Sequence, residues 1–164
     1  MIEGQLQPLL DSCLNLLRRE FGPDLVSVVL YGSAARGTAG SDSDVDLLVV
    51  AGGLPGDRWE RADIVVRLNM SLEGDLDALR RRTGWYPYLS LLLYTPDEAA
   101  RFRRIYLDMV EEARLLHDAD GFFQVVLDRA RERMRQLGCE KVWVGKKWYW
   151  RLKADYQPGE EFEL

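Results

Sequence analysis

The chain has 164 residues, 47% of them hydrophobic and 30% charged, and a net charge of −5 at pH 7. That length and composition suit one domain with a buried core, and the negative balance excludes a non-specific nucleic-acid binder, which needs a basic surface. Two cysteines make no disulfide framework, the opening Met1–Leu10 has no basic lead before an apolar run, and no stretch reaches the ~18–20 apolar residues of a membrane span, so a cytoplasmic protein is expected.

Leu6, Leu9, Leu10, Cys13, Leu14, Leu17 and Phe21 fall at helical spacing, and Phe21-Gly22-Pro23 ends that helix. Leu25–Gly32 is β-branched and apolar, a buried strand, and the small residues from Ser33 to Gly37 open a short helix. A second strand follows in Asp44–Ala51, then a turn cluster, Gly52–Asp57. From Trp59 to about Arg82 the chain reads helical, with Ser71 and Gly74 as points where it breaks or bends. Tyr88–Tyr94 is a third strand. Thr95, Pro96 and Glu98 form a helix-opening box, and the spacing of Phe102, Ile105, Tyr106, Met109, Val110 and Ala113 predicts one amphipathic helix behind it. Ala113–Asp118 is a candidate fourth strand, and Phe123, Val126, Ala130, Met134 and Leu137 mark a last helix that stops at Gly138. Two runs around a Gly145-Lys146 turn predict a β-hairpin, followed by a polar tail. This alternation favours an α/β class, a small mixed sheet flanked by helices. Residues 1–138 form the expected main domain and 139–164 an appended hairpin and tail.

The chemistry concentrates at the second strand. Side chains of a strand alternate faces, so Asp44 and Asp46 project together while Val45 and Leu47 face the other way. Two adjacent carboxylates are costly unless a cation lies between them or one is protonated. A divalent, oxygen-seeking ion such as Mg²⁺ resolves the conflict, and no Cys or His is near in sequence to favour zinc. Upstream, Gly32 and Ser33 end a strand where a turn opens a helix: Gly32 allows close backbone approach, Ser33 offers hydroxyl and amide, and the helix amino end favours an anion. A phosphate at Gly32-Ser33 and a metal at Asp44/Asp46 together describe a site for a Mg²⁺-bound nucleoside triphosphate.

The stretch Gly32–Val49, GSAARGTAGSDSDVDLLV, resembles the signature of the DNA polymerase beta-like nucleotidyltransferase superfamily, and its GSxARG…SDxDL wording looks most like the minimal nucleotidyltransferase (MNT) group. Gly-Ser after an apolar strand, about ten intervening residues, and Asp-x-Asp before another strand carry the match. The resemblance implies a nucleotidyltransferase fold and transfer of a nucleoside monophosphate, AMP from ATP, to a hydroxyl on a protein or small molecule. It implies Gly32, Ser33, Arg36 and Ser43 as nucleotide contacts, and Asp44 and Asp46 as catalytic ligands of a two-metal Mg²⁺ site. It also implies a partner: such chains pair with small helical HEPN proteins in toxin–antitoxin modules.

One departure stands out. The superfamily brings a third carboxylate from the next strand, where this chain has Ser90, which is no base at neutral pH. Asp97 and Glu98 follow that strand but read as capping groups, and Asp63 is a further candidate. The alternative reading is therefore a weak or inactive nucleotide-binding subunit of antitoxin type that works by binding a partner.

Three other features have structural readings. The aromatic and cationic run Trp143, Trp148, Tyr149, Trp150 with Lys141, Lys146, Lys147, Arg151 and Lys153 is expected to pack Trp148 and Trp150 on the core and leave the lysines wet; base stacking is the functional alternative. His117 reads as structural. Arg129, Arg131, Arg133 and Arg135 alternate with acids as a solvated helix face.

Overall fold

The structure, a computed structural model, describes residues 3–145, 147–153 and 155. Lys146 and most of the polar tail lie outside the described residues.

Helix α1 (Glu3–Phe21) buries the leucine stripe and Cys13 anticipated from its spacing. Strands β1 (Leu25–Tyr31), β2 (Val45–Ala51), β3 (Leu89–Tyr94) and β4 (Arg114–Asp118) form one sheet in the order β3-β2-β1-β4. β1 runs antiparallel to β2 and β4, while β2 and β3 are parallel and joined through helices α3 (Arg58–Ser71) and α4 (Glu73–Thr83). Alternation along the strands builds two cores. Val28, Leu30, Val45, Leu47, Val49, Leu89 and Leu93 meet α1 and the leucines of α3 and α4. Val29, Leu48 and Val50 meet Tyr106, Met109, Phe123 and Leu127 on the opposite face. The sheet is thus covered on both sides, and β1 and β2 are near-continuous apolar runs because each is buried on both faces.

Edge strand β3 does not present a free edge. Asn69 donates to the Leu89 carbonyl at 3.1 Å and Arg61 to the Leu93 carbonyl at 3.1 Å, so α3 covers the unpaired backbone that would otherwise invite another strand.

Two helical expectations change. The stretch from Trp59 to Arg82 is divided at Leu72, between the two residues expected to bend it. The single helix expected to carry Phe102 to Ala113 is instead two: α5 (Pro96–Ala100), opened by the Thr95/Glu98 capping box, and α6 (Tyr106–Glu112). Arg101 between them is extended, at φ −81° and ψ 135°. The buried Tyr106 hydroxyl donates to the Ala99 carbonyl at 2.9 Å and the Phe102 ring meets Tyr106 edge-on, so aromatic packing and one buried hydrogen bond override helical continuity.

Helix α7 (Phe122–Leu137) starts where Asp118 accepts the Phe123 and Gln124 amides and the hydroxyl of buried Ser27, and ends on left-handed Gly138. Its outer arginines pair along the helix, Arg131 with Asp128 and Arg135 with Glu132, as a solvated face should. The hairpin of β5 (Glu140–Val144) and β6 (Lys147–Arg151) docks on α6, where the Trp148 and Trp150 indoles both donate to Asp108, at 3.0 and 2.8 Å. Lys141 is not wet as expected: it is 15% exposed and pairs with Glu111 and Glu112. His117 lies in β4 opposite Val28. Cys13 and Cys139 are both free thiols, and burial pushes the Cys13 thiol up to about 12.

Candidate active site

The site forms at one end of the two central strands. β1 delivers Tyr31 and hands over to α2 (Gly32–Ala35), and β2 begins beside it with Val45 and Asp46. Asp46 lies opposite Tyr31 on one side and Ser90 on the other, so the three residues share a row across β1, β2 and β3. Val45 and Leu47 turn into the opposite core, which leaves Asp46 on the face covered by α5, α6 and α7.

Gly32 is the tightest point. Its φ is +72°, the left-handed region that suits glycine, and a Cβ there would stand 2.5 Å from Asp46 Oδ2. The Gly-Ser turn therefore lies directly against the carboxylate. The turn is pinned by the Arg36 amide donating to the Gly32 carbonyl at 3.2 Å and the Thr38 amide donating to the Ser33 carbonyl at 3.0 Å. Because α2 spans a single turn, its dipole is small, and any anion attraction here rests on individual amides and side chains rather than on a helix field.

Ahead of β2, the loop is shaped by its own polar groups. Ser43 Oγ accepts the Gly40 amide at 3.0 Å, and the buried Trp85 indole donates to the Ser43 carbonyl at 2.9 Å. The Val45 amide donates to the Tyr88 carbonyl at 3.0 Å. Asp44 is exposed between these two anchored residues, so its carboxylate stands at the rim with its backbone fixed on both sides. Ser43, expected as a nucleotide contact, has its hydroxyl engaged in this turn.

Charge distribution agrees with a cation site. Burial pushes the Asp46 carboxyl above the usual carboxylate range; a hydrogen bond from Ser90 opposes this, the nearby Asp44 charge adds to it, and Arg36 opposes it. The same crowding reaches Tyr31, whose hydroxyl is pushed up to about 12 by burial and then by Asp46. Two carboxylates and a hydroxyl suit a divalent ion that prefers oxygen. Among the described residues no three His, Cys, Asp or Glu side chains converge, so an ion held by this pair would need other ligands, such as phosphate oxygens or water.

The candidates for a third carboxylate separate clearly. Ser90 takes the register position beside Asp46. Glu98 is bound by Arg61 through two hydrogen bonds, 2.7 and 3.1 Å, and by the Thr95 amide; the Arg61 bonds hold its carboxyl below the usual range. That makes it a brace between α3 and α5. Asp97 lies in the first turn of α5, and Asp63 is exposed on α3. Arg36 follows α2; its guanidinium pairs with Glu112 and lies over the Trp148 ring. Glu112 and Trp148 were missed as site neighbours because nothing in their local sequence signals a contact with residue 36.

A family model described as a nucleotidyltransferase domain matches residues 10–115, which include the Gly-Ser turn, both aspartates, strands β1 to β3 and the first two residues of β4. The chain belongs to the nucleotidyltransferase domain family. A chain of Methanocaldococcus jannaschii, provisionally named protein adenylyltransferase MJ1305, is 27% identical over 157 residues, spanning 93% of this chain and 97% of that one. Among solved structures, a mutant of the toxin–antitoxin MntA–HpeT is similar at 17% identity, covering 77% of this chain and 87% of that chain, with a TM-score of 0.49. The tri-AMPylated HEPN toxin of Shewanella oneidensis in complex with its MNT antitoxin gives 15% identity, 80% and 92% coverage, and a TM-score of 0.45. No described helix is long and apolar enough to cross a membrane.

Proposed function

We propose that this nucleotidyltransferase-family chain is a Mg²⁺-dependent enzyme that moves AMP from ATP to a hydroxyl on a protein. The observation that carries the reading is the close approach of Gly32 to Asp46, which leaves no room for a side chain and sets the Gly-Ser turn against that carboxylate. Asp44 and Asp46 would hold the metal, with Ser90 at its margin. Bound there, the ion would neutralise phosphate charge and orient the attacking and leaving oxygens.

The chain's own residues do the rest. Gly32 lets the triphosphate approach the backbone, Ser33 offers its hydroxyl, and Arg36, held by Glu112 at the end of the turn, supplies positive charge. The acceptor oxygen forms its bond to the α-phosphorus as the bond to the departing pyrophosphate breaks. Ser90 takes no proton at neutral pH, so the hydroxyl proton passes to water, and transfer is slower than with a carboxylate base by about 10²–10⁴-fold. The name of the Methanocaldococcus jannaschii relative, matched over nearly its whole length, supports a protein acceptor.

Ser90 also favours a second reading, a nucleotide-binding antitoxin-type subunit that works mainly by binding a HEPN-type helical partner. This rests on the GSxARG…SDxDL resemblance. Incubation with ATP labelled at the α-phosphate, with and without a co-expressed helical partner, separates the two. Label on protein, absent with γ-labelled ATP and lost in Asp44→Asn, supports the enzyme. Tight partner binding without label in either case supports the subunit.

A further inference from the structure

We propose that Glu112, together with Trp148 of the carboxyl-terminal hairpin, positions Arg36 for the triphosphate, so that the hairpin is a working wall of the site rather than an ornament of the fold. The proposal deepens the nucleotidyltransferase reading and rests on it.

Glu112 ends α6 with its side chain only 9% exposed. A carboxylate so covered is stable only if fully paired, and both oxygens are: Oε2 takes Arg36 Nη1, and Oε1 takes Lys141 Nζ at 3.2 Å. Lys141 comes from β5 and Arg36 from the end of the Gly-Ser turn, so one buried carboxylate joins the hairpin to the catalytic loop. Trp148 completes the clamp. Its ring lies 5.1 Å from the Arg36 guanidinium carbon and 4.6 Å from Lys141 Nζ, and its indole is fixed by Asp108. Arg36 is thus held along one edge by a carboxylate and on one face by an aromatic ring, yet remains 28% exposed, and its own amide donates to the Gly32 carbonyl of the turn at 3.2 Å.

A free arginine side chain loses rotamer freedom when it binds, and a guanidinium already ordered loses less on meeting a phosphate. The remaining donors of the fork are those that Glu112 does not use. A lysine could not reproduce this arrangement, since it lacks the planar fork and the stacking face.

The simpler role for Glu112 is to staple the hairpin through Lys141. Lys141→Met removes that link and spares the Arg36 pair, so it separates the two. Binding of Mg²⁺ with the non-hydrolysable analogue AMP-PNP is measured by calorimetry, with kcat and KM for ATP alongside. Glu112→Gln and Trp148→Leu are expected to weaken binding and raise KM about tenfold, the size of one charge-assisted contact, with kcat changed less than twofold. Lys141→Met should lose clearly less binding than Glu112→Gln, because it leaves the Arg36 pair in place. Arg36→Ala should bind no more tightly than Glu112→Gln, and adding Glu112→Gln to Arg36→Ala should cost nothing further. The inference is overturned if folded Glu112→Gln and Trp148→Leu both bind like wild type, if Lys141→Met loses as much as Glu112→Gln, or if the losses from Arg36→Ala and Glu112→Gln add. Wild type that binds no AMP-PNP with Mg²⁺ brings down the nucleotidyltransferase reading itself, and this one with it; wild-type binding untouched by Glu112→Gln sinks this one alone.

Discussion

Replacing Gly32 by alanine tests the contact on which the site is built. At φ +72° an added Cβ meets left-handed backbone strain of about 1–2 kcal/mol. It would also stand 2.5 Å from Asp46 Oδ2, with Cγ at 3.4 Å, so the carboxylate must swing away. Moving it forfeits the Ser90 hydrogen bond, about 1 kcal/mol. The total, about 2–3 kcal/mol, lowers the melting temperature of a domain this size by about 4–12 °C. Only the backbone part should survive once the oxygen is gone. In an Asp46→Ala background the same change should therefore cost about 1 kcal/mol less, a coupling that thermal or urea unfolding of the four proteins reads directly. Equal costs in both backgrounds would refute the claim that the turn and the carboxylate are in steric contact.

Asp46→Asn should raise the melting temperature of the metal-free protein at neutral pH, because the folded state holds Asp46 above the usual carboxylate range and so disfavours its charged form. The sign fixes the pH dependence: wild type gains stability as pH falls through the raised folded pKa, so its deficit against Asp46→Asn should shrink there, and Mg²⁺ should stabilise wild type but not the variant. Ser90→Asp should raise the transfer rate by about 10²–10⁴-fold while lowering metal-free stability by adding a third acid beside Asp46; an inactive, metal-binding Ser90→Asp would place the missing base elsewhere. Arg61→Met should cost about 1–3 kcal/mol in unfolding experiments without changing transfer, since Arg61 braces Glu98 and the Pro55 and Leu93 carbonyls. Glu98's carboxyl is held low by Arg61, so its contribution is present above the ordinary carboxylate range and lost as pH falls through the folded value; Arg61→Met should flatten that acid limb.

Elements defined by periodicity and punctuation were legible in the sequence. The leucine stripe of α1, the apolar runs of β1 and β2, the Thr95/Glu98 box and the Gly138 stop are local signals, and each corresponds to an element or boundary of the fold. Ser90 could be set beside Asp46 before the fold was known because the superfamily resemblance implies a third carboxylate on the next strand, and the two are opposite one another. What escaped was decided at a distance. The split between α5 and α6 follows from Tyr106 reaching back to Ala99, which no helical period encodes. Lys141 looked like a solvated hairpin lysine until α6 placed Glu111 and Glu112 beneath it. Arg36 was expected as a nucleotide contact, with no partner named; its pairing with Glu112, 76 residues away, depends on α2 and α6 meeting across the end of the sheet.

The most direct test of the account is anomalous diffraction from crystals grown with Mn²⁺, a Mg²⁺ surrogate, and AMP-PNP. A peak bridged by Asp44 and Asp46, with the phosphates running along Gly32 and Ser33, is the predicted result. Bound nucleotide with the ion elsewhere, or phosphates turned away from that glycine, would contradict it.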